Sequence, residues 1–484
     1  MMHFRTVAKI LAILLAITSL FMLTSVLVAL WYGEYKIMFS FLYPVVFVLA
    51  GAGVVLRWMR GRTRESLSIR DGFLFVVFGW LLASLVGALP FYLSGVIPHY
   101  ADAYFETMSG FTTTGASILA EIASLPRAIL YWRSLTHWLG GMGIVVLTVA
   151  ILPLLGVGGL QLVKAEAPGP TVDKITPRIT ETAKYLWYIY LGITVAETVL
   201  LLLGGMSFFD ALTHTFGTVA TGGFSTRNAS VGHYDSAYID LVITFFMLIA
   251  GMNFTLHYKF LTGNVRKVLA DAELKAYLLI FAGAVMIITV ELYHRVFSGV
   301  FDCFRYAAFQ AASILTTTGY ATADYQQWPY VTQMVLFTLM FVGGCSGSTG
   351  GGIKVIRIVT LLKQGINEMK YLVHPKGVFS LRLSGNLVRK NIAYAISGFF
   401  FLYISTILLV TFIVSTAGID IVTSLTTALA TVGNIGPGFG RIGPTGNYAF
   451  YPDYVKWVLS LAMMVGRLEI YTVLVLLTPT FWKT

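Results

Sequence analysis

The sequence predicts an all-α integral membrane protein in which two N-terminal spans precede four repeats of span, re-entrant loop and span. Three observations predict this fold class: the composition, a series of long apolar stretches, and four short segments that resemble one another. Of the 484 residues, 57% are hydrophobic and 11% are charged, and the mean hydropathy is +0.78. Because a soluble domain carries about 25% charged residues, this composition indicates a surface that faces lipid.

Six stretches are apolar over roughly the length that crosses a bilayer. In lipid they must be helical, because backbone polar groups there need hydrogen-bond partners within the same segment. The first stretch follows His3, Arg5 and Lys9, as a secretory signal would, but no small-residue cleavage site closes it, so we predict a membrane helix. The stretches are Ile10–Trp31, Tyr43–Leu56, Phe73–Leu93, Tyr185–Leu203, Leu278–Leu292 and Phe399–Val414.

Basic residues are concentrated in four linkers between these stretches. Together with three residues near the termini, the linkers hold 24 of the 33 Lys and Arg residues. Because basic loops remain in the cytoplasm, we place the linkers and both termini on the cytoplasmic side. The net charge of +11 then reflects topology, and we expect no nucleic-acid partner. The basic positions are the segments 57–70, 164–184, 259–275 and 354–390, with Arg5, Lys9 and Lys483.

Four short segments share one pattern: an acidic residue, an apolar helix-like run, and small hydroxyl residues with a glycine. Each is too short to cross the bilayer and lies between two spans on the non-cytoplasmic side. Irregular backbone at membrane depth persists only where it lines a water-filled path or is buried in protein. Four such loops therefore predict one pseudo-fourfold pore. The segments are Asp102–Ser117, Asp210–Ser225, Asp302–Ala321 and Asp420–Gly436, whose first residues are candidate helix N-caps.

The repeats divide the chain into five parts. Residues 1–66 hold the two extra N-terminal spans. Pore repeats 1 to 4 then occupy residues 67–165, 166–270, 271–375 and 376–484.

The glycine-containing ends of the four segments suit a filter for a dehydrated cation. Such a filter replaces the water shell of the ion with carbonyl oxygens from several loops, and inward-facing carbonyls require backbone conformations that glycine adopts readily. The negative C-terminal end of each half-helix favours a cation further. We align the loops on their glycines. The predicted filter residues are Thr113, Thr114, Gly115, Ala220, Thr221, Gly222, Thr317, Thr318, Gly319, Thr431, Val432 and Gly433.

A run of glycines interrupts the second span of the third repeat. The segment Gly343–Gly352 cannot remain helical, because each glycine costs about 1 kcal/mol relative to alanine. We predict that the span breaks there into a loop directly below the filter. A nucleophile elbow or a phosphate-binding loop would need a strand–turn–helix context, so we expect no enzyme.

Several polar residues fall within predicted spans, where a charge is costly and a functional role is the first hypothesis. Arg467 either pairs locally with Glu469 or faces the ion path beneath the filter. For Glu197 a helix-packing hydrogen bond is favoured over ion coordination. For His137 and Arg133 we favour packing and interface anchoring over proton coupling.

These features resemble the TrkH/KtrB/HKT superfamily of potassium transporters. The resemblance covers essentially the whole chain: the two extra spans, the four loops, the segment His137–Gly143 and the glycine-rich interruption. Within it, Thr431–Gly433 matches the start of the potassium-channel filter sequence. The resemblance implies K+ as the ion, with Rb+ as a surrogate, and selection against Na+, because position 115 is glycine rather than serine.

The resemblance also implies a gate and partners. It identifies Gly344, Cys345, Ser346, Gly347, Ser348, Thr349 and Gly350, together with Arg467, as an intramembrane gate. It implies a homodimer whose protomers each carry a pore, and a cytosolic nucleotide-binding regulatory ring of the TrkA type, with no nucleotide site in this chain. The linker 354–390 is the candidate docking segment, although positive-inside topology or contact with anionic membrane lipid explains the same charge.

The predicted function is therefore the potassium-selective, gated conducting subunit of an uptake system in the bacterial inner membrane. The alternative is a secondary K+ symporter coupled to H+ or Na+. Such a carrier normally displays membrane-embedded carboxylates. The sequence clearly places only Glu197 and Glu469 there, and this small number favours the pore without excluding the symporter.

Overall fold

The computed structural model describes residues 2–59, 68–143, 179–383, 386–388 and 390–483. The predicted boundaries at 66 and 165, and most of the basic segments 57–70 and 164–184, lie outside the described residues.

Six helices of the described chain are long and apolar enough to cross a membrane. Two of them form an N-terminal pair, and each of the other four begins one repeat, as the sequence predicts. The pair is α1 (Phe4–Trp31) and α2 (Tyr35–Trp58); the first spans of the repeats are α3 (Ile69–Leu93), α6 (Ile179–Leu203), α11 (Ala272–Leu292) and α15 (Lys390–Ser415).

Each first span is followed by a short re-entrant helix. A helix of 12 residues is about 18 Å long, roughly half of the hydrocarbon core. In α4 every residue from Ala103 to Phe111 is buried, and burial on all faces is typical of a helix enclosed by protein. The re-entrant helices are α4 (Tyr100–Phe111), α7 (Phe208–Val219), α12 (Val300–Leu315) and α16 (Ile421–Val432).

The predicted caps of these helices are corrected in three repeats. Asp420 is the N-cap of α16 and accepts the backbone N–H of Thr423 at 2.9 Å. Asp102, Asp210 and Asp302 instead lie in the first turn, three residues after the N-cap. There a carboxylate still interacts favourably with the positive end of the helix dipole.

The segments that follow the re-entrant helices are interrupted more often than the sequence predicts. The break in repeat 3 is present, and repeats 2 and 4 also bend, by 98° and 111°. The segments are α5 (Arg127–Gly141) in repeat 1, α8 (Ala237–Ala250) and α9 (Phe254–Leu261) in repeat 2, α13 (Tyr330–Leu339) and α14 (Val355–Val373) in repeat 3, and α17 (Asp453–Arg467) and α18 (Tyr471–Leu474) in repeat 4.

The remaining described elements are short. They are α10 (Val265–Leu269), α19 (Pro479–Trp482), 3-10 turns at Ser230–Tyr234, Tyr325–Gln327, Gly440–Ile442 and Val475–Leu477, and an antiparallel pair, β1 (Arg382–Leu383) with β2 (Asn386–Leu387).

The repeats pack in a cyclic order. Helix α5 of repeat 1 packs against the re-entrant helix α7 of repeat 2, and α8 of repeat 2 packs against α12 of repeat 3. Helix α14 of repeat 3 packs against α15 of repeat 4, and α17 of repeat 4 packs against α4 of repeat 1, which joins the last repeat to the first. The predicted pseudo-fourfold arrangement around one axis is confirmed.

Candidate functional site

The four re-entrant helices end in the same hydrogen-bonded turn. In repeat 1 the N–H of Thr113 donates to Gly110 O at 3.0 Å, and the N–H of Thr114 donates to Ser109 O at 2.9 Å. The same pair of bonds closes the other three helices. This is the Schellman pattern, which requires a left-handed residue after the C-cap. That residue is Thr113, Thr221, Thr317 or Asn434, with φ between 53° and 60°.

A glycine follows two residues after each left-handed residue. These glycines are Gly115, Gly223, Gly319 and Gly436, with φ of 79°, 80°, 81° and 93°. A Cβ added to any of them would overlap or crowd the carbonyl oxygen of a neighbouring loop. In the same order, the oxygens belong to Gly222, Thr318, Ile435 and Thr114. Loop 1 thus contacts loop 2, loop 2 contacts loop 3, loop 3 contacts loop 4, and loop 4 contacts loop 1.

The predicted alignment of the loops is wrong in two repeats. Gly222 is equivalent to Thr114 and Thr318, and Gly223 takes the glycine position. In repeat 4, Gly433 is the C-cap residue, with φ −79° and ψ −10°, and Gly436 takes the glycine position. The predicted filter residues Thr431 and Val432 therefore form the buried last turn of α16 rather than the loop. Equivalent positions in the four loops are therefore identified by the hydrogen bonds that close each re-entrant helix, and not by a Thr-x-Gly pattern in the sequence.

The four loops surround one opening. A cavity of about 190 Å³ lies on the side of the segments that follow the glycines, and all four of these glycines line it. Polar residues of these segments, such as Ser117 and Ser225, line the same cavity. The hydroxyls of Thr114 and Thr318 are turned back to Thr112 and Thr316 at 2.8 and 2.7 Å.

The predicted gate loop lies against the ends of the filter loops that are opposite this cavity. Residues 340–354 connect α13 to α14. The N–H of Gly351 donates to Thr317 Oγ1 at 2.7 Å. The hydroxyl of Thr349 lies 3.1 Å from both Val219 O and Ala250 O. The loop therefore contacts repeats 2 and 3 directly below the filter.

Glu273, in the first turn of α11, ties the gate loop to the start of α14. One oxygen, Oε1, accepts the N–H of Ser346 at 2.7 Å and the N–H of Ile356 at 3.0 Å. The bend between α8 and α9 adds two contacts, from Cys345 N to Gly251 O at 2.8 Å and from Phe254 N to Gly347 O at 3.0 Å. The sequence does not single out Glu273, because an acidic residue in the first turn of a helix is usually explained by its interaction with the helix dipole.

Arg467 at the end of α17 joins the gate loop to repeat 1. Its guanidinium donates to Thr349 O at 2.6 Å and to Gly140 O and Gly141 O at 2.8 and 3.0 Å. These last two carbonyls end α5 and carry the negative end of its dipole. Arg467 therefore hydrogen-bonds to the gate loop, and Glu469, its predicted local partner, forms an ion pair with Arg357.

The basic linker 354–390 begins with two cations that are buried in the protein. Lys354 and Arg357 are 8% and 4% exposed. Lys354 donates to Gly350 O of the gate loop. A buried cation needs a partner, and the gate loop and Glu469 supply these partners.

More carboxylates are buried than the sequence predicts. Glu106 and Asp240 are each within 2.6 Å of an arginine Nε, from Arg133 and Arg305 respectively. Glu273 is held by backbone N–H groups. Glu197 is fully buried in α6, beside Thr218 of the re-entrant helix α7.

The fold and the loops define a membrane transport protein with four pore loops around one opening. Residues 41–483 match the family described as TrkH, cation transport protein, and the chain belongs to this family. It is 43% identical over 487 residues to the Trk system potassium uptake proteins TrkH of Halomonas elongata and of Escherichia coli, with all of each chain covered. The crystal structure of the potassium transporter TrkH from Vibrio parahaemolyticus matches with a TM-score of 0.88 and 40% identity, again over all of both chains.

Proposed function

We propose that this chain is the potassium-selective, ion-conducting subunit of an uptake system in the bacterial inner membrane. The observation that carries the proposal is the closed cycle of loops, in which each glycine fits against a carbonyl of the next loop. The names of the full-length relatives, which are potassium uptake proteins, support K+ as the ion.

The ion path runs between the four loops. The carbonyl oxygens of Thr114, Gly222, Thr318 and Ile435 each lie at the contact between two neighbouring loops, and together they replace the water shell of the ion. The C-terminal ends of the four re-entrant helices carry partial negative charge and lie at the start of the filter loops, which favours a cation there. We expect purified protein in liposomes to pass K+ and Rb+ faster than Na+. Equal Rb+ and Na+ fluxes would contradict the assignment of selectivity.

The gate is formed by Gly344–Gly350 and Arg467. The loop fills the space below the filter, and Arg467 places a positive charge against it. Opening then requires three sets of contacts to break. These are the bond from Gly351 to Thr317, the two bonds from the Thr349 hydroxyl to backbone carbonyls, and the bond from Arg467 to Thr349 O. We expect a deletion of residues 345–350 to raise flux, and an unchanged flux would count against gating.

An uncoupled pore fits the four carboxylates with fixed partners better than a symporter, and the fully buried Glu197 is the remaining candidate for coupling. Glu106, Asp240 and Glu469 are paired with arginines, and Glu273 accepts two backbone N–H groups. A carboxylate held in this way is poorly suited to cyclic protonation. Reversal potentials in planar bilayers separate the two mechanisms, because a pore follows the K+ gradient alone and a symporter shifts with pH or Na+.

The partners proposed are a second copy of the chain and a cytosolic regulatory ring of the TrkA type. Helix α14 leaves the gate loop directly and exposes apolar side chains spaced along one face, with basic residues between them. A partner that moves α14 would therefore move the gate. The exposed apolar residues are Leu362, Ile366, Met369 and Leu372. Substituting Leu362 and Met369 with serine should weaken co-purification of the ring and leave filter selectivity unchanged.

A further inference from the structure

A buried ion pair lies behind the first filter loop. Arg133 of α5 donates from Nε to Glu106 Oε1 at 2.6 Å, and the two side chains are 2% and 0% exposed. Glu106 belongs to the re-entrant helix α4. It also accepts Ser117 Oγ and the N–H of Ile118, both at 2.9 Å. The carboxylate therefore holds the segment that directly follows Gly115.

Arg133 extends this brace to the second filter loop. Its Nη1 donates to Ser225 O at 3.0 Å, two residues after Gly223. Its guanidinium carbon lies 3.5 Å from the centre of the Phe224 ring, within the range of a cation–π contact. One fixed cation thus contacts the outgoing segments of two neighbouring loops.

His137, one turn after Arg133, supports the same junction. Its Nε2 accepts the N–H of Phe224 at 3.2 Å, so its proton is on Nδ1, which donates to Gly110 O at 2.7 Å. Its ring stacks on Phe224 with centroids 4.0 Å apart. Both nitrogens are used by the neutral ring, which favours the packing interpretation of His137 over proton coupling.

At the other junctions, neutral groups link the segments that follow the filter glycines to the neighbouring repeat, and the ion pairs Arg305–Asp240 and Lys456–Asp102 involve the re-entrant helices instead. The hydroxyl of Tyr320 in repeat 3 donates to His214 O of repeat 2 at 2.9 Å. The hydroxyl of Tyr325 in repeat 3 donates to Gly438 O of repeat 4 at 2.8 Å. The N–H of Tyr448 in repeat 4 donates to Ser117 O of repeat 1 at 2.8 Å. The junction between loops 1 and 2 is the one held by the Glu106–Arg133 pair.

We propose that Arg133, paired with Glu106, is a specificity-determining positioning residue that fixes the spacing of filter loops 1 and 2. This inference rests on the proposed potassium-selective pore. Discrimination between ions of similar charge depends on where the carbonyl oxygens are held. A guanidinium with a rigid, forked donor set positions two acceptors more tightly than a flexible chain can.

The test is the ratio of Rb+ to Na+ flux in liposomes, measured on the folded fraction of each purified variant. Arg133→Gln should lower this ratio about tenfold, because it leaves Glu106 buried without its cation, a change that is usually severe. Arg133→Lys keeps the charge and loses the fork, so its ratio should be intermediate. Glu106→Gln should lower the ratio as Arg133→Gln does, and the double variant should be no worse than the single ones.

Arg305 supplies the matched control. Its Nε lies 2.6 Å from Asp240 Oδ2, as in the Glu106–Arg133 pair, but its partners are Asp240, Asp235 and Tyr306 rather than a filter loop. Arg305→Gln and Arg305→Lys should reduce the folded yield at most and leave the flux ratio at the wild-type value.

The outcomes separate this inference from the proposed function. A wild-type protein that passes Na+ as readily as Rb+ overturns the selective pore itself. A selective wild type whose Arg133→Lys and Arg133→Gln variants keep its ratio overturns the role of Arg133. If Arg133→Gln does not fold, the Arg133→Lys and Arg305→Lys pair decides, because an equal fall in both indicates a general structural role.

Discussion

The backbone N–H of Gly351 donates to the hydroxyl of Thr317 at 2.7 Å, so the gate loop is tied to the inner end of the third filter loop. Thr317 is the left-handed residue that ends re-entrant helix α12. Its equivalent in repeat 2, Thr221, donates to Ala220 O within its own loop. The fourfold symmetry of the filter loops is therefore broken at this contact, where the predicted gate loop and the third filter loop share a hydrogen bond.

Replacing Thr317 with valine should open the gate more often. The substitution removes the acceptor of the Gly351 N–H, and a buried donor left without a partner costs about 1–3 kcal/mol. We expect Rb+ uptake into liposomes to rise about tenfold. Thr317→Ser should restore the wild-type flux, and Thr221→Val is the matched control, because the hydroxyl of Thr221 donates within its own loop. Equal fluxes in the two valine variants would show that this bond does not hold the gate.

Replacing Arg467 with alanine should also raise flux. The substitution frees Thr349 O and the carbonyls that end α5, and it removes a positive charge from beside the gate loop. Single-channel recording should show a higher open probability. Arg467→Lys keeps the charge but loses the forked donor geometry, so its open probability should lie between those of the wild type and Arg467→Ala. A loss of folded protein with no gain in flux would instead indicate a purely structural role.

The sequence predicts the fold better than it predicts the register of the filter. Apolar length and basic linkers locate the spans, and glycine content locates the broken span of repeat 3. Gly222 and Gly433 were misaligned because the position of each loop depends on the hydrogen bonds that close its helix. One signal was available: Asn434 tolerates the left-handed conformation, which marks it as the equivalent of Thr113.

Contacts between distant segments could not be predicted in the same way. Glu106 and Arg133 are 27 residues apart on two different helices, and their contact depends on how these helices pack. Glu273 lies 73 residues before Ser346. A carboxylate in the middle of a half-helix at membrane depth, as Glu106 is, was the one available sign of a buried partner.

The corrected register predicts a clear contrast between two glycines of repeat 4. Gly436 has φ 93°, and an added Cβ would crowd Thr114 O at 2.6 Å. Gly433 has the right-handed helical conformation, so alanine there adds no backbone strain. Its Cβ would lie 2.6 Å from Leu429 O, but this crowding is within the last turn of its own helix and involves no second filter loop. Gly436→Ala should therefore abolish selective Rb+ uptake, and Gly433→Ala should retain a substantial part of it. If Gly433→Ala lost more selective Rb+ uptake than Gly436→Ala in a liposome flux assay, Gly433 would be the filter glycine of repeat 4.

Glu273 should be required to keep the gate loop closed. Glu273→Ala leaves the N–H groups of Ser346 and Ile356 without their shared acceptor, so we expect a higher basal Rb+ flux, by about tenfold. Glu273→Gln retains a carbonyl oxygen and should stay near the wild-type value. Glu291→Ala is the control on the same helix, because its pair with Arg295 is at the surface and such pairs contribute little. A Glu273→Ala flux no higher than that of Glu291→Ala would contradict the role of Glu273.

The proposed orientation of the chain can be tested with two single cysteines. The native Cys303 and Cys345 are both buried, so the background of labelling should be low. Val378, between α14 and β1, is 95% exposed, and Thr445 is exposed at the cavity outside the filter. If the basic linkers are cytoplasmic, a membrane-impermeant maleimide should label Val378→Cys in inside-out vesicles and Thr445→Cys in intact spheroplasts. The opposite pattern would place the gate loop on the outer side of the filter, and regulation by a cytosolic partner through α14 would then be impossible.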